Sequence, residues 1–189
     1  MTIKIPYQTV VLIGKTGCGK GTQSELLGSA LAYSVFSTGD KVRKTGAMPT
    51  PLGRKIQEIQ VKGWVPEWLA SYFLVKALLE EYVEDGLVFE SVARKPEEAV
   101  KLHEIHEMLG REYIVVHLEI ADDLVVERML ARSRDEADTA DNIAKRLKAF
   151  YDETQESINI FASYDKVRTV DANQEPDKVF EDIIKVIKS

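Results

Sequence analysis

The chain has 189 residues and a mass of 21.3 kDa, the size of one globular domain or of a core with small insertions. Hydrophobic residues at 44% and charged residues at 30% exclude a disordered or collagen-like chain, and no apolar run approaches the ~18 to 20 residues that cross a bilayer. Lys+Arg at 25 against Asp+Glu at 31, a net charge of -6 and a pI near 5.2 argue against a protein that coats polymeric nucleic acid by neutralising its phosphates.

In chain order, the start MTIKIPYQ is too polar and short for a signal peptide, so a cytoplasmic location without a membrane partner is expected. Thr9 to Ile13 is a β-branched apolar run closed by glycine and predicts a buried strand. Lys20 to Leu31 carries apolar residues at helical spacing. Tyr33 to Phe36 predicts a second strand, and Ser37-Thr38-Gly39-Asp40 a helix start. Pro51 to Val61 and Pro66 to Val83 predict helices with proline in the first turn, where its missing N–H costs nothing. Leu87 to Glu90 reads as a strand, Pro96 to Leu109 as a helix and Tyr113 to Ile120 as a central strand. Asp122 to Arg132 and Thr139 to Phe161 predict helices, Val167 to Val170 a strand and Pro176 to Ile187 a final helix. Five strands alternating with helices predict an α/β fold with a parallel sheet covered on both faces, whose ligands bind at the carboxyl ends of the strands.

The strongest local signal is Gly14-Lys15-Thr16-Gly17-Cys18-Gly19-Lys20-Gly21-Thr22, between the first strand and the first helix. Its glycines allow backbone N–H groups to turn towards phosphate oxygens, the helix N-terminus adds partial positive charge, and Lys20 adds a full one. Thr22 would offer a hydroxyl near Mg²⁺, one residue later than in the general pattern, because Gly21 stands where Ser or Thr is usual. The single cysteine, Cys18, excludes an intramolecular disulfide and a cysteine-based zinc cage. Its thiol is expected to fill space beside the strand.

The spelling Gly19-Lys20-Gly21-Thr22-Gln23 resembles the adenylate kinase family of nucleoside monophosphate kinases, whose loop usually runs G-x-P-G-x-G-K-G-T-Q. Ser37 to Arg43 is similar to the family's S-T-G-D-x-x-R, Gly63-Trp64-Val65-Pro66 to its G-x-[LIV]-V-[PS] turn, and Leu87 to Arg94 to its strand with D-G-F-P-R. Arg128, Arg132 and Arg146 fall at the spacing of the arginines around its lid. The resemblance implies a P-loop NTPase-type core (1–36, 66–131 and 140–189) with a small monophosphate-binding insertion (37–65) and a short lid (132–139). It also implies a monomer that transfers the γ-phosphoryl of ATP to a monophosphate, AMP first, with Mg²⁺ and without zinc.

By the same resemblance, Gly17, Cys18, Gly19, Lys20, Gly21, Thr22, Arg128, Arg132 and Gln174 would hold ATP. Thr38, Arg43, Gly63, Trp64, Val65, Arg94, Glu98, Arg134 and Arg146 would hold the acceptor. Lys20, Arg94, Arg128, Arg132 and Arg146 would stabilise the moving phosphoryl group, and Thr22 with Glu90, through water, would hold Mg²⁺. Arginine suits such a site because its planar fork meets phosphate oxygens bidentately and keeps its proton.

Three segments depart from the pattern. D-G-F-P-R is Glu90-Ser91-Val92-Ala93-Arg94, the adenine-reading glutamine is Glu98, and the lid arginine sits at Arg134, one residue from the family's R-x-D-D position. A glutamate accepts but does not donate when ionised, so Glu98 fits guanine donors as well as adenine N6. The alternative for Glu98 is a solvent-facing helix position. A kinase for GMP, CMP or UMP, and a nucleotide-binding regulatory module without catalysis, are the competing functions. His103, His106 and His117 form no metal-ligand pattern, and the two helix histidines are expected to be exposed.

Overall fold

The computed structural model describes residues 2–61, 66–81, 86–132 and 139–189, with the side chains of residues 60, 61, 81 and 132 left out. Among these, five strands form one parallel sheet: β1 (Thr9–Gly14), β2 (Ser34–Ser37), β3 (Leu87–Glu90), β4 (Tyr113–Glu119) and β5 (Val167–Asp171), ordered β2-β3-β1-β4-β5. Because strand residues alternate faces, β1 splits its side chains between two cores. Val11 and Ile13 join Phe89, Leu102, Tyr113 and Phe161 on one face. Val10 and Leu12 join Leu27, Val116, Val125 and Ile183 on the other. A strand buried on both faces has to be apolar throughout, which is why TVVLI has no polar alternation.

The helices are α1 (Lys20–Leu31), α2 (Thr38–Gly46), α3 (Pro51–Val61), α4 (Glu67–Lys76), α5 (Pro96–Leu109), α6 (Asp122–Arg132), α7 (Ala140–Ala149), α8 (Gln155–Ser163) and α9 (Pro176–Lys188). Helices α1, α6 and α9 cover one face of the sheet, and α4, α5 and α8 the other. The second strand begins at Ser34 rather than Tyr33, because the Tyr33 N–H donates to Gly28 O in the turn that ends α1, where Ala32 is left-handed at φ 57°.

Two predicted helices are interrupted. The stretch from Thr139 to Phe161 is α7 and α8 joined by a wide π-type turn, Phe150–Thr154, and α4 passes into a similar turn over Ala77–Glu81. Each wide turn inserts a residue into the helical repeat and re-aims the side chains beyond it.

The two helix histidines are not exposed as expected. His106 has no solvent-accessible surface. Its Nδ1 lies 2.8 Å from Leu102 O and its Nε2 2.9 Å from Thr9 Oγ1, an arrangement a neutral ring satisfies by donating to the carbonyl and accepting from the hydroxyl. His103 is half-buried, with Nδ1 2.9 Å from the Tyr113 hydroxyl and its ring stacked 3.7 Å from that of Tyr164. Both lie at the amino ends of β1 and β4, the opposite end of the sheet from the phosphate loop. Among the described residues, no helix is long and apolar enough to cross a membrane.

Candidate active site

The phosphate loop leaves β1 where that strand is held between β3 and β4. Gly14 has φ 151°, and a Cβ there would lie 2.5 Å from Leu118 O, so no larger residue fits without moving β4. Gly19, at φ 97°, precedes α1 without a side-chain cap. The first N–H groups of α1 therefore face the cleft with no intrahelical partner, ready for an anion. Gln23 fastens this helix from behind, its Nε2 donating to Pro176 O at 2.8 Å. Cys18 is 2% exposed and packs inward with Leu12 and Val116, as expected for a filler.

Two clefts, of about 600 and 870 Å³, open over the loop and share Thr16, Lys20, Arg43 and Ser91. The Lys20 ammonium stands at their junction, donating to Gly14 O at 2.9 Å and Lys15 O at 2.6 Å. The smaller cleft adds Gly39, Arg94, Lys145 and Arg146, and the larger adds Gly17, Gly21, Thr22, Glu90, Arg128 and Pro176. The expected convergence of cationic side chains is thus present for Lys20, Arg43, Arg94, Arg128 and Arg146. Thr38 is half-buried beside cleft-lining Gly39.

Their settings differ. Arg43 pairs with Asp40 one turn earlier on α2. Arg94 reaches into the cleft with solvent on part of its surface and protein around it. Lost hydration pulls its guanidinium pKa below the ordinary value and Arg146 pushes the same way, against Glu98 and Glu153. Arg128 donates to Ala172 O at 3.0 Å and Gln174 O at 3.2 Å, tying the β5–α9 connection to α6. Gln174 in turn donates to Asp171 O at 2.9 Å and Asp182 Oδ2 at 3.2 Å. The Arg132 side chain, Gly63, Trp64, Val65 and Arg134 lie outside the described residues.

The rebuilt loop after β3 keeps a sharp turn without glycine or proline. Ser91 and Ala93 are both left-handed, at φ 58° and 51°, a conformation costing an L-residue about 1–2 kcal/mol. Glu98 closes this loop and is only 6% exposed, so the solvent-facing alternative does not hold. Its carboxylate accepts from the Arg94 N–H at 3.1 Å and is also held by the Lys95 N–H, while burial raises its pKa above the ordinary value. Glu98 therefore turns its carboxylate towards the loop that carries Arg94.

Glu90 ends β3 in register with Leu12. Its Oε1 lies 3.5 Å from where a Cβ on Gly21 would stand, and among the described residues no ion pair engages it. A carboxylate beside the phosphate loop, with the Thr22 hydroxyl nearby in the same cleft, fits Mg²⁺, which takes one or two protein oxygens and completes its shell with water and substrate phosphate. Among the described residues there is no group of three His, Cys, Asp or Glu that could hold a metal by protein ligands alone.

Sequence reasoning missed Lys145, Ser91, Phe150 and Thr154 as cleft residues. Lys145 adjoins Arg146 on α7 and was within reach of the same argument. Phe150 and Thr154 depend on the wide turn, which helical periodicity does not reveal. His117, 9% exposed, stacks 6.3 Å from Phe150, and burial pulls its pKa below the ordinary value.

The family model described as adenylate kinase matches residues 12–166. The chain is 34% identical over 180 residues to the adenylate kinase of Nocardia farcinica, covering 94% of this chain and 98% of that protein. It is 33% identical over 175 residues to that of Maricaulis maris (90% and 93%), and 31% identical over 176 residues to adenylate kinase 1 of a Nostoc species (92% and 95%). With a phosphate loop over two joined, arginine-lined clefts and this likeness along almost its full length, the chain belongs to the adenylate kinase family and is a nucleoside monophosphate kinase that transfers phosphate from ATP.

Proposed function

We propose that the acceptor is AMP, so that ATP and AMP yield two ADP, and that the enzyme works as a cytoplasmic monomer with Mg²⁺. The observation that carries this reading is the pair of clefts sharing Lys20 and Arg43, since transfer between two nucleotides needs two pockets meeting at one phosphoryl group. An acceptor phosphate oxygen attacks the γ-phosphorus in line, and the bond to the β–γ bridging oxygen breaks to leave ADP. Lys20 and the α1 N–H groups hold the β- and γ-phosphates. Arg43 and Arg94 clamp the acceptor phosphate, and Arg146 spans the two. Thr22 and Glu90 would hold Mg²⁺, Glu90 through water, and the ion neutralises charge on the β- and γ-oxygens when bound.

Arg128, Arg132 and Gln174 belong to the ATP side, with Gly17 and Gly19 shaping the loop. Thr38, Gly63, Trp64, Val65 and Arg134 belong to the acceptor side. The division into core, 37–65 insertion and 132–139 lid is part of the same reading, supported by α2 bringing Gly39, Val42 and Arg43 to the edge of the smaller cleft. The named relatives are adenylate kinases, and Glu98, turned to the Arg94 and Lys95 N–H groups, has no call on a guanine in preference to an adenine.

A coupled assay with ATP, Mg²⁺ and AMP, GMP, CMP, UMP or dAMP tests it. AMP is expected to give the highest kcat/KM by at least about tenfold, a preference of about 1.4 kcal/mol. A higher value for GMP or a pyrimidine nucleotide would reassign the acceptor.

A further inference from the structure

Lys15 is a charged residue of the phosphate loop to which the proposed chemistry gives no phosphate contact. It lies between Gly14, which ends β1 against Leu118 of β4, and Gly17, both at positive φ, and its carbonyl accepts from the Cys18 N–H at 3.4 Å. Its side chain ties the loop to two further segments. The ammonium donates to Ile120 O at 3.0 Å, where β4 ends, and to Asp122 Oδ1 at 2.5 Å, in the first turn of α6. It also lies 5.1 Å from the Tyr151 ring centre and 5.8 Å from that of Phe150, both in the wide turn after α7.

Tyr151 closes the knot by donating to both Asp122 oxygens, at 2.9 and 3.0 Å. Burial alone would lower the Lys15 pKa, but hydrogen bonds and charge from Asp122 and Tyr151 outweigh it and raise the value. The other hand of the same residue holds Lys20, whose ammonium donates to the Lys15 carbonyl at 2.6 Å.

The knot thus joins three arms of the site: the phosphate loop with Lys20, helix α6 with Arg128, and the turn that follows Arg146 on α7. We propose that Lys15, with Asp122 and Tyr151, is a positioning residue that fixes the Lys20 ammonium relative to Arg146. This rests on the kinase reading above. The pair is part-buried, with the lysine side chain 14% and the carboxylate side chain 47% exposed, and its contacts span three segments of the site. A displacement of about 1 Å in such a site can cost about a hundredfold in rate.

The test is steady-state kinetics of Lys15→Met, Asp122→Asn, the double variant, Tyr151→Phe and Lys15→Arg, with ATP affinity by calorimetry and thermal melting beside them. Positioning predicts that Lys15→Met and Asp122→Asn each lower kcat by about 10- to 100-fold. Both would change KM for AMP and Kd for ATP by less than about threefold. The double variant should lose no more than the worse single one, because the pair acts as a unit. Tyr151→Phe should lose less, and Lys15→Arg should recover part of the rate.

Asp122→Asn decides between positioning and a simple field of charge. If Lys15 acted only as a positive charge near the phosphates, removing the negative Asp122 would raise the rate. An unchanged or raised kcat in Asp122→Asn, multiplying losses in the double variant, or a Lys15→Met defect confined to KM or Kd for ATP would each overturn the proposal. Asp122 is half-exposed, so its variant keeps the test open should Lys15→Met fold poorly. Turnover by the parent enzyme in the same assay separates failure of this inference from failure of the kinase reading.

Discussion

His106 should make the fold acid-sensitive by an amount that can be worked from its surroundings. Burial lowers its pKa from 6.5 to about 4, opposed by the Leu102 carbonyl and reinforced by Arg111, His103 and Lys166. The folded state therefore favours the neutral ring. Its contribution to stability is fully present above the unfolded pKa of 6.5 and is lost as pH falls from 6.5 towards about 4. At about 1.36 kcal/mol per pH decade, that window amounts to about 3 kcal/mol.

The assay is urea unfolding of the parent and of His106→Gln between pH 7.5 and 4.5. Because carboxylates titrate in both proteins, the informative quantity is the difference between the two curves. The variant starts less stable at pH 7.5, having lost the fitted imidazole between Thr9 and Leu102. Its disadvantage should shrink by about 2 kcal/mol on reaching pH 5. A gap that stays constant across the range would place the acid sensitivity on groups other than His106.

Two further substitutions probe the rebuilt loop after β3. Ser91→Gly removes a left-handed strain of about 1–2 kcal/mol at a cost of about 0.5–1 kcal/mol in chain entropy, so the melting temperature should rise by about 1–3 °C. A fall would mean that the serine hydroxyl holds the turn. Glu98→Gln should leave the ranking of monophosphates unchanged and lower kcat by a few-fold through a looser Arg94. A shift of preference towards AMP would instead make residue 98 a reader of the base.

Most elements were legible because their signals are local. β1 is apolar throughout since both of its faces are buried, and α1, α3 and α5 occupy the stretches their apolar spacing and flanking glycine or proline imply. The phosphate loop was legible for the same reason, because glycine spacing, strand and helix are contiguous.

What was hidden depends on tertiary contact. Nothing in the spacing of residues 139–161 marks the wide turn at Phe150, and only that turn brings Tyr151 to Asp122 and Phe150 to His117. His106 looks like a surface residue on a mixed helix until β1 supplies Thr9 as its partner. Glu98 stands where the family resemblance implies a base reader, yet the loop before it lacks the family's glycine and proline and takes its carboxylate. Lys15 could be noticed as unusual, but its partners come from segments more than 100 residues away.

Phosphoryl transfer at Lys20 is tested most directly by phosphorus NMR of ATP, AMP and Mg²⁺ with the parent enzyme and with Lys20→Ala, both shown to be folded by circular dichroism. The parent should bring the mixture to the ATP, ADP and AMP equilibrium within minutes. Lys20→Ala should be slower by at least about a thousandfold, roughly 4 kcal/mol of lost transition-state stabilisation. Folded parent enzyme that leaves the three nucleotides unchanged, or a Lys20→Ala rate within about tenfold of the parent, would contradict phosphoryl transfer at Lys20.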